Sequence, residues 1–267
     1  MTAMAVREPL WHPPAIALDE LLNVAALQTR VDRKYVVPLS EVDTLLAEAA
    51  TGARVLEIDG ARSFAYESLY FDTPDLASYR MTAYRRRRRF KIRTRAYLDS
   101  AECWLEVKTA GQRGSTVKTR HPYAWDDRVT LHPGRSFVRG ALADGAVPVD
   151  PDAPFVPTLI TRYQRSTLYL PQSGSRVTID THLTWEEAGR RLLLPSVAII
   201  ETKTGSSASW ADRLLWRRGH RPARISKYAT GLAALRPDLP APRWRQTLRR
   251  HFEPAGRTVA THSTSWL

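Results

Sequence analysis

The chain has 267 residues, 43% of them hydrophobic, and a formal net charge of +13. That length and apolar content support a sizeable core without disulfides, and a single cysteine, Cys103, excludes both an internal disulfide and a cysteine-built zinc site. No apolar run approaches the ~20 residues of a membrane span, and Met1 to Pro14 lacks the apolar stretch of a signal peptide, so a soluble protein of a reducing cytoplasm is expected, with peripheral membrane attachment a further expectation.

In chain order, residues 1–15 read as a Pro-rich, loosely ordered lead. Leu18, Leu21, Leu22 and Ala25 recur at helical spacing and predict a short helix over Leu18–Leu27. Val31–Val37 reads as a strand closed by Pro38. Ser40 is expected to cap a helix over Glu41–Ala50 that Gly52 stops. Strands are then predicted at Arg54–Ile58, Ser63–Phe71, Arg87–Tyr97, Glu102–Lys108, Ser115–Ala124, Leu159–Leu170, Arg176–Trp185 and Leu192–Lys203, separated by turn chemistry such as Asp72-Thr73-Pro74 and Pro171 to Gly174. Helices are expected at Asp75–Thr82, Ser136–Ala143, Trp210–Arg218 and from Ser226 to Leu235. This divides the chain into an N-terminal extension (1–27), a β-rich domain (28–235) and a Pro/Arg-rich C-terminal tail (236–267). The fold class is α+β, mainly antiparallel, with the sheet either closed into a barrel or split into a sandwich.

Side chains alternate faces along a strand, and here the alternation sorts charge from core. Phe90, Ile92, Thr94 and Ala96 share one face of their strand; Arg89, Lys91, Arg93, Arg95 and Tyr97 share the other. Glu102, Trp104, Glu106 and Lys108 oppose Cys103, Leu105 and Val107. Lys118 and Arg120 share a face, as do Arg176, Thr178, Asp180 and His182. Val197, Ile199, Glu201 and Lys203 oppose Ala198, Ile200 and Thr202, and Arg30, Asp32 and Lys34 oppose Val31, Arg33 and Tyr35. Taken singly, each polar face reads as a solvated sheet surface. Together they are dominated by Lys and Arg. Turned inward they make sense only around an anionic ligand, because guanidinium grips phosphate oxygens bidentately and lysine acts as a point charge. The few carboxylates present suit Mg²⁺ or Mn²⁺, hard cations that prefer oxygen.

Several segments, in order, carry a resemblance. They are Thr29-Arg-Val-Asp-Arg-Lys-Tyr35, Leu69-Tyr-Phe-Asp-Thr-Pro74, Arg89-Phe-Lys-Ile-Arg-Thr-Arg95, Trp104-Leu-Glu-Val-Lys108, Arg162-Tyr-Gln-Arg165, Arg176-Val-Thr-Ile-Asp-Thr181, Ile200-Glu-Thr-Lys203 and Ile225-Ser-Lys-Tyr228. This set resembles the VTC domain, the polyphosphate polymerase domain of the vacuolar transporter chaperone complex, within the CYTH-like triphosphate tunnel metalloenzymes. The resemblance implies an eight-stranded closed tunnel barrel with flanking helices, and ATP-dependent growth of a polyphosphate chain with manganese or magnesium.

It also implies residue roles. Lys34 matches the first-strand lysine that meets nucleotide phosphate, and Arg93 and Arg95 match the arginine pair that holds the triphosphate. Lys108 matches the lysine of the next strand, and Arg165 and Arg176 match later tunnel arginines. Lys34, Arg93, Arg95, Lys108, Arg165 and Lys227 are the expected catalytic set. Arg80, Arg89, Lys91, Lys118, Arg120, Arg176, Lys203, Arg224 and Ser226 are expected to bind phosphate. Glu201 matches the metal-binding glutamate; Glu106 is either a second metal contact or a partner for Lys108. Ser226 reads equally as a helix cap and as part of a phosphate-binding helix start. CYTH enzymes open with Glu-x-Glu-x-Lys, whereas the equivalent face here is Arg30, Asp32, Lys34, which argues against a dedicated triphosphate hydrolase.

The expected partners are ATP and inorganic polyphosphate. Three rivals stand beside polymerisation: hydrolysis of a triphosphate or nucleotide, polyphosphate binding without chemistry, and contact of Arg243, Arg245, Arg249 and Arg250 with anionic lipid or a membrane-protein partner. Nucleic acid is disfavoured, because only Tyr97 and Trp104 offer stacking surface on the basic faces.

Overall fold

The computed structural model describes residues 13–24, 31–49, 52–111, 115–150, 152–205, 207–253 and 257–260. The expectations for Arg30, for the last turn of the first helix (25–27) and for 261–267 lie outside them. In chain order the elements are β1 (Ala15–Ile16), α1 (Leu18–Val24), β2 (Val31–Pro38), α2 (Leu39–Ala49), β3 (Arg54–Leu56), β4 (Phe64–Asp72), α3 (Ala77–Ala83), β5 (Phe90–Tyr97), β6 (Glu102–Ala110) and β7 (Thr116–Tyr123). They continue with α4 (Arg135–Asp144), β8 (Val156–Leu170), β9 (Ser175–Glu187), β10 (Arg190–Leu194), β11 (Val197–Thr204), α5 (Trp210–Arg217), α6 (Lys227–Leu235), α7 (Arg245–Thr247) and β12 (Arg257–Ala260).

The chain divides into two compact units. Unit 1 comprises 1–63, 165–181 and 196–223; unit 2 comprises 64–164, 182–195 and 224–267. In unit 1, β11 pairs antiparallel with β2 and with the first half of β9, while β3 pairs with β1 in parallel and with β8 antiparallel. One face of these strands (Tyr35, Val37, Val177, Ile179, Ala198, Ile200) packs against Val42 and Leu45 of α2 and Leu214 and Leu215 of α5. Burial of this stripe stabilises the unit at about 25 cal/mol per Å² of apolar area removed from water. A buried carboxylate ties the layers: Asp212 of α5 accepts from Tyr35 Oη at 2.7 Å, Thr202 Oγ1 at 2.6 Å and Ser209 N at 2.7 Å. Ser209 returns the bond to Asp212 N, a reciprocal cap on α5.

In unit 2, β4, β5, β6 and β7 form an antiparallel meander, β8 lies beside β4, and β10 pairs with β9 and β12. Its core joins Leu69, Phe71, Phe90, Ile92, Leu105 and Val107 to Val138, Ala141 and Leu142 of α4. Asp72 plays the part that Asp212 plays in unit 1. It accepts from Thr73 N and Ser78 N at 2.8 Å, from Tyr79 N at 2.9 Å and from Tyr228 Oη, binding the end of β4 to α3 and α6. Gly231 of α6 sits against Trp185, whose indole a Cβ would strike, and that ring donates to the Lys227 carbonyl at 2.7 Å.

The antiparallel α+β expectation holds. The described pairings do not close a ring: β7 pairs with β6 alone, β12 with β10 alone and β2 with β11 alone among the described residues. Three local expectations change. The single strand Leu192–Lys203 is two, β10 and β11, because Pro195 and Ser196 interrupt it and the register against β9 shifts. Ser40 lies within α2 rather than before it; the helix starts directly after Pro38, and the Ser196 carbonyl accepts from Leu39 N at 2.8 Å, satisfying one of the free N–H groups of that end. Finally, the described parts of the segments read as loose ends (13–15, 236–253 and 257–260) make regular contacts, whereas 1–12, 254–256 and 261–267 lie outside the described residues. β1 pairs with β3, Trp244 meets Tyr79 in a tilted contact at 5.8 Å, and Phe252 meets Trp185 at 5.5 Å.

Candidate functional site: two charged sheet faces

On unit 2, the face opposite the core is a ladder of cations. Strand register places Lys91, Lys108 and Lys118 on one rung, and Tyr70, Arg93, Glu106 and Arg120 on the next. Arg95 follows, beside Ser68 and Trp104. Arg93 is 7% exposed and Glu106 1%. Glu106 Oε2 takes Arg93 Nε at 2.8 Å and Nη2 at 2.5 Å, while Oε1 takes Lys118 Nζ at 2.5 Å. Tyr70 Oη accepts from Arg93 Nη1 at 2.9 Å. Burial by itself would raise the Glu106 carboxyl; Arg93, Arg95 and Lys118 outweigh it and hold the group far below the usual carboxylate range.

The other cations of this face are less satisfied. Lys108 makes no hydrogen bond or ion pair among the described residues. Burial pushes its ammonium well below the ordinary lysine value, and Arg93 and Arg95 push the same way. Arg95 lies over the Tyr66 ring at 5.7 Å, with its Nε buried and without a hydrogen-bond partner. Arg120 stacks on Trp104 at 4.5 Å. Buried like charges at this density are costly without an anion.

Unit 1 carries a different face. Glu201 Oε1 lies 3.0 Å from Lys203 Nζ and 3.4 Å from Lys34 Nζ, two ion pairs on one oxygen. Arg165 grips Asp180 bidentately at 2.6 and 2.8 Å. Register sets Asp32, Lys203 and Arg176 side by side, and Lys34, Glu201 and Thr178 on the next rung. Burial alone would raise the Glu201 carboxyl, but Lys203, Lys34 and Arg165 drive it well below its usual range. Burial pushes Lys203 down to about 8, with Arg165 adding to that and Glu201 opposing it.

The remaining expected residues stand apart from these rungs. Arg80 is on α3, with Nε donating to the Asp75 carbonyl at 2.8 Å, and it lines a cavity of about 880 Å³ with Arg162 and Arg236. Arg89 precedes β5, and Arg224 precedes α6 with its carbonyl bonded to Thr247 Oγ1 at 3.2 Å. Ser226 Oγ accepts from Ala229 N, so the hydroxyl caps α6. Lys227 lies over the Tyr163 ring at 4.3 Å. Sequence reasoning missed Tyr70 and Tyr163, which orient Arg93 and Lys227. It also missed Asp72, although an Asp just before a helix signal is a capping pattern.

A divalent metal is implied by the resemblance, and the two glutamates differ in their fitness for it. Among the described residues no group of three His, Cys, Asp or Glu side chains is gathered for a metal. Both oxygens of Glu106 are held by Arg93 and Lys118, so it does not fit the role of a metal contact. The Lys34 and Lys203 ion pairs of Glu201 fall on Oε1, at 3.4 and 3.0 Å, so Glu201 is the carboxylate of the two that could offer an oxygen to a hard divalent cation.

The family model for the VTC domain matches residues 29–236. The chain belongs to the VTC domain family. The match takes in both charged faces, from Lys34 to Lys227, and ends within the chain segment before α7. No curated protein sequence matches this VTC domain. Among solved structures, it is similar to a Hippeastrum protein described as having a dominant triphosphatase activity, at 17% identity and a TM-score of 0.49 over 80% of this chain and 100% of that one. It is also similar to a candidate adenylate cyclase from Bacillus halodurans, at 15% identity and a TM-score of 0.49 over 74% and 94%, and to the PH1012 protein of Pyrococcus horikoshii, at 11% and 0.39 over 72% and 88%. No helix among the described residues of the VTC domain is long and apolar enough to cross a membrane.

Proposed function

We propose that this VTC domain is a metal-dependent polyphosphate polymerase that transfers the γ-phosphoryl group of ATP to a growing inorganic polyphosphate chain. The observation that carries the reading is the unit 2 ladder, where half-buried Lys108 and Arg95 stand without an ion-paired carboxylate beside buried Arg93, and Arg95 Nε is buried with no hydrogen-bond partner. Such a face is stabilised by a phosphate chain and strained without one. The closed eight-stranded tunnel of the family belongs to the same proposal.

Phosphoryl transfer asks chiefly for positioning and charge neutralisation. Arg93, Arg95 and Lys108 hold phosphate oxygens; Glu106 and Tyr70 fix the Arg93 fork. Lys34, Lys203 and Arg165 supply further positive charge, and Asp180 orients Arg165. Arg176, beside Lys203 on the unit 1 face, and Lys91, beside Lys108 on the unit 2 face, add phosphate contacts. Glu201 would hold a divalent cation, which would supply positive charge to the reacting phosphates. The terminal oxygen of the acceptor chain is already ionised and needs no strong base. It forms a new P–O bond to the γ-phosphorus as the bond to the β-phosphate oxygen breaks, and ADP leaves. RNA suits these faces poorly, because Trp104 is covered by Arg120 and Tyr97 packs on Tyr66 at 4.9 Å.

Incubation of the purified protein with ATP and Mn²⁺ or Mg²⁺ is expected to yield long-chain polyphosphate on a gel. Phosphate release without chains would assign hydrolysis instead, and retention of polyphosphate without turnover would assign a binding module.

A further inference from the structure

Unit 2 gathers arginines outside the ladder. Arg85, just after α3, adopts left-handed backbone with φ 57, a conformation that L side chains rarely take. The chain then runs through Arg86–Arg89 into β5. From the C-terminal segment, Arg243 Nη1 donates to the Thr82 carbonyl at the end of α3 at 3.3 Å. Four residues on, Thr247 Oγ1 donates to the Arg224 carbonyl at 3.2 Å. This segment therefore pins together the end of α3 and the residues before α6, and with them Arg85, Arg89, Arg224 and Arg243. The charged groups acting on Arg243 are those other three arginines; burial and their repulsion hold its guanidinium below the ordinary value. Its Nε is buried with no hydrogen-bond partner.

We infer that these four arginines form a second phosphate-binding site, an outer dock for a part of the polyphosphate chain remote from its reacting end. The inference rests on the proposed polyphosphate substrate. Guanidinium groups from separate segments, with no carboxylate among them, match a ligand that presents many phosphate oxygens at once. Arg89 directly precedes β5, and its carbonyl accepts from Ala110 N at the end of β6 at 3.2 Å, so it follows Lys91 at the end of the ladder. A chain leaving the ladder past Lys91 meets Arg89 first. A triphosphate fills the ladder alone; only a longer chain reaches the dock.

The test is equilibrium binding of tripolyphosphate and of long-chain polyphosphate to the whole protein, with Arg243→Gln and Arg85→Gly. Glycine suits the left-handed position, so Arg85→Gly keeps the turn while removing the charge. Each variant is expected to lose about fivefold or more in affinity for the long chain and less than about twofold for tripolyphosphate, with a salt slope lower by on the order of one. Equal losses for both ligands, or no loss for the long chain, would overturn the dock. Vesicles containing anionic lipid form the other arm: if the variants lose vesicle binding but keep long-chain affinity, the dock serves a lipid headgroup and the inference is wrong. Failure of the wild type to bind either polyanion would instead sink the functional reading beneath it.

Discussion

The two charged faces share an architecture and differ in how they balance charge. On unit 1, Lys34 and Lys203 meet Glu201 and Arg165 meets Asp180, so these cations have carboxylates at ion-pair distance. On unit 2, the rungs Lys91–Lys108–Lys118 and Tyr70–Arg93–Glu106–Arg120 hold one carboxylate, Glu106. On the first face, carboxylates at ion-pair distance offset the cations. An unbalanced face stores repulsion that an anion relieves. The first is suited to positioning and the second to grip.

The contrast can be broken most directly at Glu106. Glu106→Gln leaves buried Arg93 and exposed Lys118 without a counter-charge and is expected to cost about 3–5 kcal/mol of stability, chiefly through Arg93. Added polyphosphate should restore part of it, because a ligand that binds only the folded state stabilises it. Thermal melts with and without the ligand check both halves; a variant that melts like the wild type would show that the carboxylate does not hold the ladder. Glu201→Gln should act on turnover instead, lowering it by about a hundredfold or more while polyphosphate affinity changes by less than about threefold. Chain synthesis at the wild-type rate would remove Glu201 from metal binding.

Lys108→Met sharpens the same contrast in the opposite direction. Removing an unpaired half-buried cation is expected to raise the melting temperature while weakening polyphosphate affinity about tenfold. A lower melting temperature with unchanged affinity would mean that Lys108 is structural. The smallest effects lie in the two carboxylate knots. Tyr35→Phe and Tyr228→Phe each remove one donor to a buried aspartate, Asp212 or Asp72, and each should cost about 1–3 kcal/mol in urea titrations. Either substitution proving neutral would show that the remaining donors satisfy its carboxylate.

Much of this was readable along the chain. Strand alternation placed Arg93 and Arg95 opposite Ile92 and Thr94, and Glu201 and Lys203 opposite Ile200 and Thr202, and the structure buries those core sides accordingly. The helix from Ser226 was legible from its cap. What escaped were pairings across strands. Glu106 read equally as a metal contact and as a partner of Lys108, two residues away in sequence; in the fold it serves Arg93, thirteen positions away, and Lys118. The order of residues 241–253 was equally hidden, because Trp244 and Phe252 are too sparse to make a period yet each finds an aromatic partner in unit 2.

Local sequence by itself determined the strands, their core and charged sides, the net positive charge and the family signature, since all of these follow from period, composition and ordered motifs within one segment. Tertiary structure alone decided which cations are neutralised, which remain poised for an anion, and how Asp72 and Asp212 tie their units. Those outcomes depend on side chains brought together from positions as far apart as 156 and 177 residues, and whether a buried charge is satisfied is set by its neighbours in space.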